Sequence, residues 1–358
     1  MQLPNHGANP EHLVRSLHLS QSENTIDFSV NTNPFPLQNH IIANWNQYIE
    51  SISKYPDPSS EQFIEFLSTK ENVQRNQLLL GNGAAQLIYL LAMYFQKKKV
   101  AILEPTFSEY REACVAFGCD IEGIIMGHPW ELNKEKLVKR CQQKDVLFIC
   151  NPNNPTGVSY PPEDLIHVIQ KLSSYNVTVI IDEAFFDFQE HGTTLIQLVN
   201  QYDNLIILRS LTKMYGLAGL RLGFMAANET VIASVSKLQH PWSINGLAQQ
   251  IGLECLQDDV HVRNTQEFMK NERLRLFPLL EELGYEVSNS QVNYYLLKEK
   301  DKKEDCLALI KFLIVNGIIP RHTYNFVSLQ GQYIRLAIKT TEENNYLLNV
   351  LRRWRETC

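Results

Sequence analysis

The segment SLTKMYGLAGLRLGF, residues 210–224, carries the strongest chemical signal in the chain. Lys213 follows Ser210 by three residues and Thr212 by one, and Arg221 comes eight residues later. A lysine amine that sheds its proton is a nucleophile, able to form an imine with an aldehyde, and afterwards a base. The hydroxyls of Ser210 and Thr212 can donate to a phosphate, and the guanidinium fork of Arg221 can grip the same anion with two hydrogen bonds. Gly216 and Gly219 are expected to let the backbone turn tightly and return Arg221 to the side of Lys213. A lone loop lysine is usually a solvated charge, but this full spacing is not what a solvated loop needs.

Four further segments carry matching chemistry. Asp182 closes an apolar run in VIIDEAFFDF, where a buried carboxylate is costly without a cationic partner. CNPNNPTG, Cys150 to Gly157, is a loop rich in turn formers and contains Asn154. In LLLGNGAAQLIYLLAMYF the residues Gly83, Ala84 and Ala85 open an apolar helix whose unpaired N–H groups suit an anionic phosphate. Phe107 lies in EPTFSEY after a predicted strand, where an isolated aromatic would be core.

In order and spacing these segments resemble the class I/II aminotransferase superfamily of fold type I, whose signature runs S-x-[ST]-K…G-x-x-G-x-R. The resemblance covers nearly the whole chain. It implies pyridoxal 5′-phosphate as cofactor, held on Lys213 through its aldehyde. Asp182 would pair with the protonated ring nitrogen, and Asn154 would donate to the ring hydroxyl oxygen. Phe107 would stack on the ring; Gly83, Ala84, Ala85, Ser210, Thr212 and Arg221 would hold the phosphate. Tyr55 in KYPDP resembles the tyrosine that reaches a neighbouring subunit's cofactor, which implies a homodimer with shared sites. Arg335 in YIRLAI resembles the arginine that pairs with the substrate carboxylate.

Within that superfamily the nearest branch contains histidinol-phosphate aminotransferases and threonine-phosphate decarboxylases. HGAN (His6 to Asn9), IDFSVNTNP and HPWSING resemble the decarboxylase, and Phe185 replaces the tyrosine of the usual D-E-A-Y motif. GNGAA stands where the decarboxylase has G-N-G-E-T, and HGAN where it has HGGN. The expected substrate is a phosphorylated amino acid, its carboxylate on Arg335 and Asn154 and its phosphate on His6 and Arg321. The reaction implied is decarboxylation of L-threonine O-3-phosphate to (R)-1-aminopropan-2-yl phosphate, as in cobalamin biosynthesis. The alternatives are a histidinol-phosphate aminotransferase and a non-catalytic aminotransferase-like binding protein.

The elements that must position these residues alternate in type. Candidate strands are Val100–Leu103, Ile124–Met126, Val146–Cys150, Val177–Ile181, Leu205–Leu208 and Leu222–Ala226. Pro161 and Pro162 open a helix with Leu165, Val168, Ile169 and Leu172 on one face. Apolar strands between helices indicate an α/β fold with a mostly parallel sheet covered on both sides. After about Pro241 a helix is expected to end near Leu283 with Gly284 as cap. Another runs to Asn316 and Gly317, and Thr340 with Glu343 caps the last. Short strands Asn293–Leu297 and Tyr333–Ala337 lie between. The domains read as a large cofactor-binding domain over 36–240 and a small α+β domain built from 1–35 and 241–358.

Bulk properties set the frame. The chain has 358 residues, 44% of them hydrophobic, and a net charge of −6, which gives no nucleic-acid surface. Its seven cysteines form no CxxC pair, so reduced thiols fit better than disulfides or a metal site. The absence of a long apolar stretch points to a cytoplasmic protein without membrane contact.

Overall fold

The computed structural model describes every residue except 1, 2, 5, 6, 21–23, 303 and 358. Thirteen strands are described: β1 Ile26–Asp27, β2 Leu78–Gly81, β3 Lys99–Glu104, β4 Asp120–Ile125, β5 Val146–Cys150, β6 Thr178–Asp182, β7 Leu205–Ser210, β8 Gly223–Ala227, β9 Tyr285–Val287, β10 Tyr294–Glu299, β11 Ile318–Ile319, β12 Arg321–His322 and β13 Ile334–Ala337. Seven of them form one sheet in the order β2-β8-β7-β6-β5-β3-β4, in which only β8 runs against its neighbours.

The central strands are apolar along their whole length because helices cover both faces. Val100, Ile102, Val146, Phe148, Ile180 and Ile206 pack on the side of the helices Gly83–Tyr94 and Glu109–Ala116. Their chain neighbours Ala101, Leu103, Leu147, Ile149, Val179 and Ile181 point the other way. There they meet Leu165, Val168, Ile169 and Leu172 of the helix Pro162–Ser173. Each fully buried aliphatic side chain stabilises by roughly 1.5–3 kcal/mol, so this double layer is the main apolar reservoir. The fold is therefore the α/β class expected, a mostly parallel sheet between helices.

A four-stranded antiparallel sheet, β12-β13-β10-β9, lies in the C-terminal part of the chain. The helices Asp259–Glu282, Leu307–Val315 and Thr341–Thr357 accompany it. Gly284 and Gly317 follow two of these helices with φ of +85° and +74°. Thr340 N donates to Glu343 Oε2 at 3.1 Å, and Glu343 N donates back to Thr340 Oγ1 at 3.3 Å. The N-terminal segment joins this part, since β1 pairs in parallel with β11 and Ala337 N donates to Phe28 O at 2.9 Å.

Two differences from the sequence reading concern the sheet. β2 is a seventh strand inside LLLG, a run short enough to pass for the lead-in to the following helix. β4 begins at Asp120, before the apolar part of its sequence, because it is an edge strand with one open side.

Candidate active site

The ends of the strands build the site. β3, β5, β6 and β7 are parallel, so Glu104, Cys150, Asp182 and Ser210 all emerge at one edge of the sheet, the edge at which such folds hold ligands. β8 runs the other way, so its first residue arrives at that same edge. Gly223 pairs with both Gly81 and Ser210. This register sets Arg221, two residues earlier, between the end of β7 and the start of the helix Gly83–Tyr94.

A cavity of about 540 Å³ opens there. Ala84, Ala85, Phe107, Asn154, Asp182, Ser210, Thr212, Lys213, Arg221, Arg321 and Arg335 all line it, eleven of the fourteen residues singled out from sequence. Gly83 adjoins it at the helix start, in contact range of Arg221. Tyr55 does not share the cavity within this chain; it is 85% exposed and its ring lies 5.1 Å from that of Trp242. His6 lies outside the described residues.

Lys213 follows β7 in a turn, and its carbonyl accepts from Asn33 N at 3.0 Å. Burial of the ammonium, with the charges of Arg335 and Arg221 nearby, lowers its pKa to about 8, while Asp182 acts in the opposite sense. The amine is thus far closer to its nucleophilic form near neutrality than an ordinary lysine. Ser210 Oγ and Thr212 Oγ1 lie 2.8 Å apart, two hydroxyls turned to one place. Gly216 has φ +65° as expected, but the second left-handed residue of the turn is Arg221 itself, at +57°, and not Gly219. The tight turn falls on the arginine because β8 must begin at once in register with β7.

Asp182 is buried, and that burial raises its pKa against the pull of its hydrogen bonds. Tyr110 Oη donates to Asp182 Oδ2 at 2.6 Å, and Ala184 N donates to Oδ1 at 2.9 Å. Arg335 is buried as well. Its Nη1 donates to Asn154 Oδ1 at 2.5 Å and its Nη2 to Ser29 O at 2.8 Å, while burial lowers its pKa to about 10. Arg321 stands near it with Nη2 donating to Asn325 Oδ1 at 2.7 Å. Burial and the Arg335 charge together press its pKa down to about 9. Phe185 forms part of the wall, its ring edge-on to that of Tyr294 at 4.8 Å, so no hydroxyl stands at that position.

Several contributors escaped the sequence reading. Tyr110 was visible only as part of a motif. Asn31 lines the cavity, and its buried Nδ2 has no hydrogen-bond partner among the described residues. Asn33 Nδ2 donates to Met214 O at 2.8 Å and Thr265 Oγ1 at 2.9 Å, tying the lysine turn to the helix Asp259–Glu282. Both asparagines sit in the quoted segment IDFSVNTNP, but the partners of Asn33 are so remote in sequence that they leave no local pattern.

These residues fit pyridoxal 5′-phosphate. A Cβ on Gly83 would lie 2.4 Å from Arg221 Nη2, so only glycine lets the guanidinium close over the helix start and make an anion cradle there. Asp182 is a buried carboxylate held by two neutral donors, a setting that a protonated ring nitrogen would complete.

Comparison with known proteins agrees. The family described as aminotransferase class I and II matches residues 23–351. Histidinol-phosphate aminotransferase of Thermoanaerobacter pseudethanolicus is 33% identical over 329 residues, covering 90% of this chain and 91% of the relative. Threonine-phosphate decarboxylase of Salmonella typhimurium is 32% identical over 352 residues, covering 97% and 95%. The crystal structure of histidinol-phosphate aminotransferase from Clostridium acetobutylicum superposes with a TM-score of 0.88 at 26% identity, covering 93% of this chain and 100% of that one. With the family matching nearly end to end, the chain belongs to the class I and II aminotransferases, enzymes whose cofactor is pyridoxal 5′-phosphate.

Proposed function

We propose that this enzyme decarboxylates L-threonine O-3-phosphate, or a closely related phosphorylated amino acid, to an aminoalkyl phosphate of the kind used in cobalamin biosynthesis. The observation that carries this reading is the charge of the cavity wall. Lys213, Arg221, Arg321 and Arg335 face it against Asp182 alone among the described lining residues, in a chain whose net charge is −6. Arg221 is taken by the cofactor phosphate. Burial lowers the pKa of both Arg321 and Arg335, and the Arg335 charge lowers that of Arg321 further. Anions at both sites would therefore be favourable, and a substrate bearing a carboxylate and a phosphate supplies two.

When bound, the cofactor supplies the electron sink that accepts the pair left by a broken bond at the substrate Cα. The chain's own residues decide which bond breaks. Arg335, braced by Asn154 and the Ser29 carbonyl, holds the carboxylate at one end. Arg321 holds the phosphate at the other. Two fixed grips orient the substrate and so select the bond presented across the cofactor ring. Lys213, with its lowered pKa, holds a proton that it can deliver to Cα once carbon dioxide has left. Phe185 removes a hydroxyl donor from the cavity wall and leaves Asn154 as the donor on that side.

A second reading, histidinol-phosphate transamination, uses the same lysine and the same phosphate grip, and a relative of that activity is as similar as the decarboxylase. A purely binding role would not call for a buried amine, a buried carboxylate and an anion cradle around one cavity. We also infer a homodimer with shared sites. Tyr55 and Trp242 pack ring against ring at 5.1 Å while 85% and 51% exposed, and a partner subunit would cover them while Tyr55 reached the partner's cofactor.

The test is a screen over O-phosphothreonine, O-phosphoserine and histidinol phosphate. Carbon dioxide from O-phosphothreonine with no keto acid present supports decarboxylation. Turnover of histidinol phosphate that depends on 2-oxoglutarate would transfer the assignment to the second reading.

A further inference from the structure

Asp182 needs more than a place at the end of β6. A carboxylate has two oxygens that rotate together, and the one that meets a ring nitrogen must be held in the plane of that ring. Ala184 N fixes Oδ1 from the chain itself. Oδ2 is fixed from elsewhere, by Tyr110 Oη at 2.6 Å. The phenol is as well anchored as the carboxylate. Tyr110 is fully buried in the first turn of the helix Glu109–Ala116, its ring stacks on that of Phe148 in β5 at 5.2 Å and 18°, and the Phe107 ring meets its edge at 5.9 Å and 85°.

We propose that Tyr110 is a positioning residue for cofactor binding, acting through Asp182 by holding the carboxylate ionised and turned toward the ring nitrogen. The inference rests on the assignment of Asp182 to that nitrogen. Burial and the neighbouring Asp182 charge keep the phenol protonated, so it stays a donor across the working pH range. The donor stabilises the carboxylate, while a nitrogen cation on its far side benefits from the charge so retained. Tyr110 also lies three residues after Phe107, so one short stretch of chain places both the ring's stacking partner and the support of its counter-ion.

The test measures the dissociation constant of pyridoxal 5′-phosphate from the apo-protein by spectroscopic titration, which needs no substrate. Tyr110→Phe keeps the ring and its packing and removes only the donor. It is expected to weaken cofactor binding about tenfold or more, the effect of losing a hydrogen bond to a charged group. Asp182→Asn should weaken it as well, and adding Tyr110→Phe to Asp182→Asn should change it less than about twofold, since the charge that the donor stabilises is already gone. An unchanged constant in Tyr110→Phe overturns the proposal, and so does an equal loss in both backgrounds. If Asp182→Asn binds the cofactor like the unmodified protein, the assignment of Asp182 falls and the role of Tyr110 with it. A second readout covers a Tyr110→Phe protein that fails to fold. With meta-fluorotyrosine at position 110, the fluorine resonance of the apo-protein should move on Asp182→Asn, and an unmoved resonance contradicts the proposal.

Discussion

Gly83 and Arg221 approach so closely that a methyl group on the glycine would stand 2.4 Å from the arginine Nη2. The glycine also has φ +73°, which side chains rarely adopt. Gly83→Ala is therefore expected to displace the guanidinium from the cradle and to cost the apo-protein about 1 kcal/mol of stability. Cofactor affinity should fall at least about tenfold while the melting temperature of the apo-protein drops by only a few degrees. Titration of the apo-variant together with thermal unfolding checks both.

Lys213 sets the pH behaviour of cofactor uptake. Its pKa is lowered from 10.5 to about 8, so the neutral amine becomes dominant above pH 8. The rate at which apo-protein captures pyridoxal phosphate should rise with pH and level off above about 8. An ordinary lysine would keep the rate rising toward about 10.4. The same shift gives the apo-protein added stability as pH climbs from about 8 toward 10.5, where the unfolded chain still holds the proton that the folded one has lost. Arg335→Met removes one of the charges that lower the pKa and should move the midpoint upward. Lys213→Ala should abolish both the visible absorbance of the linked cofactor and turnover.

The two substrate arginines should separate in kinetics. Arg321→Met is expected to cut kcat/KM for a phosphorylated amino acid by about a hundredfold or more and to leave the cofactor spectrum intact. Its effect on a substrate lacking the phosphate should be small, because the lost contact was never made. Arg335→Lys keeps the charge but loses the fork, and should impair substrates that carry the α-carboxylate.

Tyr55 tests the shared site. If it serves the partner's cofactor, Tyr55→Ala and Lys213→Ala chains are each inactive or weak alone. Mixed, they should form hybrid dimers in which one site is whole, and activity should return toward about a quarter of normal from random pairing. Failure of mixed dimers to gain activity would leave Tyr55 without that role.

How far all this could be read from sequence depends on the range of each interaction. Asp182, Ser210, Lys213 and Arg221 were legible because each is tied to a strand end or to a short glycine spacing, so type and distance along the chain speak together. Gly216 and Gly219 were expected to make the turn, yet its second left-handed residue is Arg221, because the register of β8 with β7, not glycine content, decides which residue must bend. β2 was missed since four apolar residues before a helix have no period of their own. Tyr110 and Asn33 were passed over for a different reason. Their partners are far off in the chain, with Asn33 and Met214 separated by 181 positions and Tyr110 and Asp182 by 72. The fold class needed only the alternation of apolar strands and helices. The seven-stranded order, with one reversed strand that delivers Arg221, needed the structure.

The most direct measurement follows L-threonine O-3-phosphate carrying an isotopic label in its carboxylate, incubated with the cofactor-loaded enzyme and no keto acid. Label released as carbon dioxide in step with the formation of an aminopropyl phosphate is the predicted result. Label retained in the organic product, with amine transfer appearing only when 2-oxoglutarate is supplied, contradicts the account.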